Sequence, residues 1–204
     1  MNPAWKAPFT SILAGPTGAG KSFFTFKFIS HISEMVTPQI EKIIYCYGEY
    51  QPIFAQYPQV VFHEGLPDMS QFDGKQHSLL VLDDFMAETN DDVSNIFTKI
   101  SHHRNVSVIY LTQNLFFKSK HNRTMSLNAH YIVAFKNPRD VTQITILARQ
   151  MRPQKPKFIT EAFEDATHNP FSYLLIDLKP ETEEKYRIRA QIFPDQWQVV
   201  YVPK

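Results

Sequence analysis

The sequence predicts an α/β fold: a mainly parallel sheet flanked by helices, closed by a β edge at its C-terminal end. Short apolar runs of strand length alternate along the chain with stretches of helical spacing. One run, Leu79-Leu80-Val81-Leu82, is continuously apolar, as a strand covered on both faces must be. A glycine-rich turn joins the first apolar run to the first helical stretch, where a βα unit needs one.

The elements follow in order. Phe9 to Leu13 reads as the first strand. A helix is expected from Gly20 to Met35, with Phe24, Phe28, Ile32 and Met35 near helical spacing and Pro38 as its stop. Lys42 to Tyr47 reads as the second strand, and Val60 to His63 as a short extra one. After the Leu79 run comes a helix from Asn90 to His102, capped by Asn90 or Asp91 and burying Val93, Ile96, Phe97 and Ile100. Ser107 to Leu111 and His130 to Phe135 are further strands. Helices are expected at Pro138 to Met151 and Pro156 to Ala166. Phe171 to Leu178 and Lys185 to Ile192 form the final β pair, and Trp197 and Tyr201 belong to a docked tail. No repeat or shift in composition divides the chain, so residues 1–204 read as one domain.

Composition narrows the class. The 204 residues are 43% hydrophobic and 20% charged, ordinary for a soluble globular chain. Seventeen Phe imply a dense aromatic core or apolar surface kept for a partner. A net charge of +1 does not mark a protein that coats DNA. The single cysteine, Cys46, reads as a buried strand residue and fits a reducing, intracellular compartment. The N-terminal stretch has no signal-peptide pattern, and no apolar run is long enough to span a membrane.

The turn carries chemistry. Gly15-Pro16-Thr17-Gly18-Ala19-Gly20-Lys21-Ser22 matches the phosphate-loop pattern G-x-x-x-x-G-K-[ST] in full, with a strand before it and an amphipathic helix after it. Its glycines let successive backbone N–H groups face one anion, and the helix that follows adds its unpaired N-terminal donors. Lys21 is placed for the β- and γ-phosphates of ATP, and the Ser22 hydroxyl for Mg2+. A dinucleotide fingerprint fits poorly, because its third glycine would fall on Phe23.

The Leu79 run ends in Asp83 and Asp84. At the end of such a strand one carboxylate helps hold magnesium, here Asp83, and the next polarises the attacking water, here Asp84. The distance from loop to acidic pair suits the ASCE class of P-loop NTPase, in which another strand lies between the two. That strand would be Ser107 to Leu111, ending in Thr112-Gln113-Asn114. Gln113 is then a sensor touching γ-phosphate and water, with Asn114 second. Charge building up in phosphoryl transfer calls for an arginine, often from a neighbouring subunit. Arg104, Arg123, Arg149 and Arg152 are available, and Arg104 and Arg149 are preferred. The stretch Lys118, Lys120, His121, Asn122 and Arg123 reads as a basic loop able to face a nucleic-acid backbone or simply solvent.

Taken in order, GPTGAGKS, LLVLDDFM, SHHRNVSVIYLTQN and LNAHYIVAFKNPRD resemble the genome-packaging ATPases of double-jelly-roll DNA viruses, the FtsK–HerA group that includes poxvirus, adintovirus and Polinton versions. The resemblance spans residues 8 to 180. It implies a homo-oligomeric ring, a hexamer, that drives double-stranded DNA into a capsid at viral assembly sites in host nucleus or cytoplasm, or in association with the virion. It implies Lys21 and Ser22 on nucleotide, Asp83 on magnesium, Asp84 as catalytic carboxylate and Gln113 as sensor. Many relatives carry Glu where this chain has Asp84, which bears on hydrolysis rate. Two rivals stand beside it: a P-loop kinase for a nucleoside or other small molecule, for which Arg149 to Lys157 would have to serve as a lid, and a nucleotide-bound scaffold with vestigial hydrolysis.

Overall fold

The computed structural model describes residues 4–83, 91–115 and 120–203. Asp84, Asn90 and Lys118 lie outside the described residues, as do the side chains of Asp91, His102, Lys120, His121 and Asn122.

The strand holding the glycine-rich turn is β2 (Thr10–Ala14), with all five residues buried. It lies between β7 (Val106–Thr112) and β8 (Tyr131–Phe135), parallel to both. Beyond β7 come β6 (Ser78–Asp83), β4 (Lys42–Tyr47) and β5 (Val61–Glu64), again all parallel. The strand expected between phosphate loop and acidic pair is therefore where the sequence placed it. On the other side of β8 the direction reverses. There β9 (Tyr173–Asp177), β10 (Ile188–Ala190) and β11 (Val199–Val200) run antiparallel in turn. The nine-stranded order is β11-β10-β9-β8-β2-β7-β6-β4-β5.

Side chains alternate across each strand, so each strand feeds two cores. Ile12, Leu80, Val108 and Ile132 enter one, and Leu13, Val81, Ile109 and Val133 the other. The first core is covered by α3 (Asp91–Asn95), a π turn at Ile96–Ile100, α4 (Ser101–His103), α5 (Lys120–Leu127), α6 (Thr142–Met151) and α7 (Pro156–Ala166). The second is covered by α1 (Lys21–Ser30) and is strongly aromatic. Trp5 stacks on Tyr131 with ring centroids 4.1 Å apart and meets Phe28 at 4.8 Å, while Phe24 meets Tyr173 edge-on at 4.8 Å. Such pairs each add about 0.5–1.5 kcal/mol beyond area burial. Much of the phenylalanine content is spent here.

Four expectations need correction. The long helix to Met35 breaks at His31, whose φ of −107° leaves the helical region, into α1 and the short α2 (Ile32–Met35). The chain then extends through β3 (Val36–Thr37), since β-branched residues before Pro38 favour extended backbone. This strand pairs with β1 (Trp5–Lys6) in a small second sheet. The predicted basic loop is largely the helix α5, held by buried Met125 and Ser126. The helix expected from Pro138 starts only at Thr142, because Asn137 and Asp140 side chains bind the backbone of Arg139 and Thr142 in turns. The tail is not docked through Trp197, which is 92% exposed; it adds edge strand β11, and Tyr201 donates its hydroxyl to Asp165.

Among the described residues, no helix is long and apolar enough to cross a membrane.

Candidate functional site

The C-terminal ends of the six parallel strands lie at one edge, and the glycine-rich loop, Lys21, Ser22, Asp83 and Gln113 gather there. Gly15 follows β2 directly and is buried. A Cβ built on it would sit 2.7 Å from the Phe135 Cβ, so only glycine lets the loop leave between β2 and β8. Its N–H donates to the Thr112 carbonyl at 3.1 Å, which ties the loop to the end of β7. The Ala19 N–H donates to the Pro16 carbonyl at 3.1 Å and closes a turn, with Thr17 and Gly18 exposed at its tip. Gly20 takes φ 103°, and its carbonyl accepts from the Phe24 N–H at 2.9 Å, the first bond of α1. The loop thus passes straight into a helix N-terminus, whose donors favour an anion.

The Lys21 ammonium folds back over the loop and donates to the carbonyls of Gly15 at 2.6 Å and Pro16 at 3.0 Å. It therefore sits at the mouth of the cradle. A cavity of about 600 Å³ opens there, lined by Lys21, Ser22, Asp83, Gln113 and the loop after β4. That volume is in the range for a nucleotide-sized ligand.

Asp83 closes β6 and is half-buried. Tyr45, from the next strand, donates its hydroxyl to Asp83 Oδ2 at 2.5 Å. Burial pushes the Tyr45 phenol far above its ordinary range, the neighbouring Asp83 charge pushes the same way, and the nearby Ser22 hydroxyl opposes them. Tyr45 is thus a fixed, neutral donor that holds one carboxylate oxygen. Sequence reasoning missed it. The available signal was a phenol at an inward position near the end of an apolar strand, where an unpaired hydroxyl would be costly. Ser22 and Asp83 supply hard oxygens to one cavity. Magnesium prefers such a set, with one or two carboxylates and the remaining positions left to water and substrate phosphate. The residues fit that ion.

The end of β7 is also built in detail. Gln113 is exposed and faces the cavity. Asn114 is engaged elsewhere: its Oδ1 accepts from Gln143 Nε2 at 3.2 Å, and Gln143 Oε1 accepts from the Leu115 N–H at 2.6 Å. Of the two sensor candidates, Gln113 lines the cavity, and Asn114 shapes the turn.

The preferred arginines lie away from this cavity within the chain. The Ser78 N–H donates to the carbonyl of Asn105, next to Arg104, so Arg104 sits at the opposite end of β6 from Asp83. The six residues of that strand put the two levels about 16–17 Å apart at 3.2–3.4 Å per residue step. Its guanidinium donates to the Met69 carbonyl. Arg149 is exposed in the last turn of α6, a helix that leaves the cavity edge and runs to the far edge. Arg152 pairs with Glu184 at 3.0 Å and lies over the Phe158 ring, and Arg123 is exposed on α5. The stretch from Arg149 to Lys157 turns from α6 into α7 at the far edge, so it does not cover the cavity as a lid.

No family model matches the chain, and no curated protein sequence matches it. Solved structures do. The chain resembles the genome packaging NTPase B204 from Sulfolobus turreted icosahedral virus 2 in three ligand states. The structure in complex with AMPPCP gives a TM-score of 0.52 at 14% identity, covering 100% of both chains. The ATP-gammaS complex gives 0.50 at 14% identity over 100% of this chain and 99% of that one. The sulfate complex gives 0.51 at 12% identity, with 96% and 97% covered. At this identity the likeness establishes a shared fold: the mostly parallel, helix-flanked sheet of P-loop NTPases.

Proposed function

We propose that the chain is a magnesium-dependent ATPase that translocates double-stranded DNA, working as a ring of identical subunits, a hexamer, to package a viral or virus-derived genome into a capsid. The observation that carries this reading is the meeting of Lys21, Ser22, Asp83 and Gln113, from three different strand ends, around one cavity. The end-to-end likeness in fold to a genome packaging NTPase crystallised with ATP analogues supports it.

In this reading main-chain amides within Thr17 to Ser22 hold the phosphates, and Lys21 neutralises the β- and γ-oxygens. Ser22 and Asp83 would hold Mg2+, which would neutralise charge between those two phosphates when bound. Gln113 orients a water for in-line attack on the γ-phosphorus. The bond to the β–γ bridging oxygen breaks, ADP leaves, and the water's proton passes to Asp84, a role carried over from the sequence motif. Arg104 and Arg149 can serve only a neighbour's site, because both lie at the far edge of their own subunit. A head-to-tail contact would bring that edge to the next cavity, and head-to-tail contacts close into rings. Strand-end loops would then bear on DNA, and the assembly would act beside the capsid at intracellular assembly sites.

The test is ATP turnover with and without linear duplex DNA, alongside light scattering with and without ATP. The expected result is an ATP-dependent oligomer whose turnover rises with duplex and is lost in Lys21→Ala. A rise with a nucleoside acceptor and no response to DNA would make it a kinase; no turnover in the assembled wild type would make it a scaffold.

A further inference from the structure

We infer a nucleobase site on the β9 side of the phosphate cavity, in which the Phe171 ring stacks on the base of the bound nucleotide. The inference rests on the nucleotide-binding reading above and adds the part of the ligand that the phosphate motif does not address. Phe171 stands in the loop between α7 and β9 with φ 60°, a left-handed backbone that a bulky residue adopts only under strain. Its side chain is nonetheless 66% exposed, so no core packing repays that strain. Strain held without burial collects at ligand sites.

Its position fits that use. A Cβ on Gly20 would lie 3.2 Å from the Phe171 Cβ, so the last loop glycine leaves room for this side chain against the phosphate loop. Phe23, in the first turn of α1, is 70% exposed and borders the same space. Both phenylalanines line two cavities at once. One is the phosphate cavity and the other an adjoining cleft of about 370 Å³. That cleft also carries the amides of Asn169, Gln191 and Gln196, which can bond a base edge, and Gln191 has left-handed backbone too, at φ 53°.

Direction supports the assignment. Asp83 ends β6 and Gln113 follows β7 directly, so the terminal phosphate lies on that side of β2. A nucleotide laid across the loop then points its ribose and base the other way, over β8 towards β9. Phe171 stands two residues before that strand. A base stacked on an aromatic ring gains about tenfold or more in affinity.

The experiment compares Mg·ATP with inorganic Mg·tripolyphosphate by calorimetry, using wild type, Phe171→Ala, Phe171→Gly and Phe171→Trp. The expected result is that wild type binds ATP at least tenfold more tightly than tripolyphosphate. Phe171→Ala and Phe171→Gly should lose that advantage with tripolyphosphate affinity unchanged, and Phe171→Trp should keep it. Phe171→Gly suits the left-handed backbone, so its ligand-free melting temperature should match or exceed wild type, which separates loss of the ring from loss of the fold. Equal binding of the two ligands by wild type, or undiminished ATP affinity in Phe171→Gly, overturns the base site and leaves the phosphate site standing. Failure of wild type to bind either ligand overturns both.

Discussion

The Tyr45 hydroxyl reaches from β4 to the end of β6 and donates to Asp83 at 2.5 Å. A carboxylate proposed to hold magnesium thus has one oxygen fixed by a buried phenol at the cavity wall. Support of this kind sets the orientation of a metal ligand, and its loss typically costs 10–100-fold in metal affinity or activity. Tyr45→Phe keeps the ring and its stacking on Phe26, at 5.2 Å between centroids, and removes only the donor. The expected outcome is a folded protein whose half-saturating magnesium concentration for ATP hydrolysis rises about tenfold. A magnesium titration of turnover checks this, and an unchanged midpoint would leave Tyr45 a purely structural residue.

Gly15 makes a second, steric prediction. With Phe135 Cβ only 2.7 Å from any added Cβ, Gly15→Ala must move either the loop or β8. Overpacking of this kind costs about 1–3 kcal/mol. The displaced amide also loses its bond to Thr112, so the phosphate cradle opens. Nucleotide affinity should fall by more than tenfold while the secondary structure remains. Calorimetry and a denaturant melt measure the two effects separately.

The placement of Arg104 at the far edge calls for a mixing experiment. Arg104→Ala should leave nucleotide affinity unchanged and lower turnover of the assembled protein by about a thousandfold, the scale of a trans arginine. Inactive Arg104→Ala and inactive Lys21→Ala subunits should regain activity when mixed, because an intact cavity of one can meet an intact arginine of the other. Mixtures that stay inactive at every ratio would remove Arg104 from the mechanism; the same test applies to Arg149.

Burial sets the pH response of the core. The Cys46 thiol is fully buried and pushed up to about 12 by loss of solvation. It should resist alkylation at pH 8 in the native protein and react fully in guanidinium. A raised pKa means the fold holds the proton more tightly than the unfolded chain does. The contribution is therefore complete below the ordinary thiol range near 9.0 and is lost as pH climbs towards 12. The phenols of Tyr45, Tyr131 and Tyr173 are raised chiefly by burial too, so they add to the same alkaline loss. Melting temperatures from pH 8 to 11 should fall, and steepen above pH 9.

Much of this was legible in the sequence because strong local signals agreed. Lys42 to Tyr47 and Pro156 to Ala166 are bounded in the structure as apolar periodicity and Pro placement indicated. The place of the glycine-rich turn between β2 and α1, and the strand order around it, followed from residue type and spacing. What was hidden depends on tertiary contact. The helix Lys120–Leu127 is too polar to announce itself; among its described side chains Met125 and Ser126 are the buried ones. The β1–β3 sheet is two residues wide and exists because Trp5 packs on Tyr131 and Phe28. Tyr45 and Asp83 are far apart in sequence and become neighbours only through parallel pairing of β4 and β6. Phe171 carries no motif; its backbone conformation and its contact with Gly20 mark it.

The central claim is that residues 15 to 22 grip the triphosphate of Mg·ATP. Calorimetric titration of folded wild type and Lys21→Ala with Mg·ATP tests it most directly. One nucleotide per chain for wild type, with affinity reduced at least tenfold in Lys21→Ala, is the predicted result. No binding to folded wild type at millimolar Mg·ATP, or equal binding by both proteins, would contradict it.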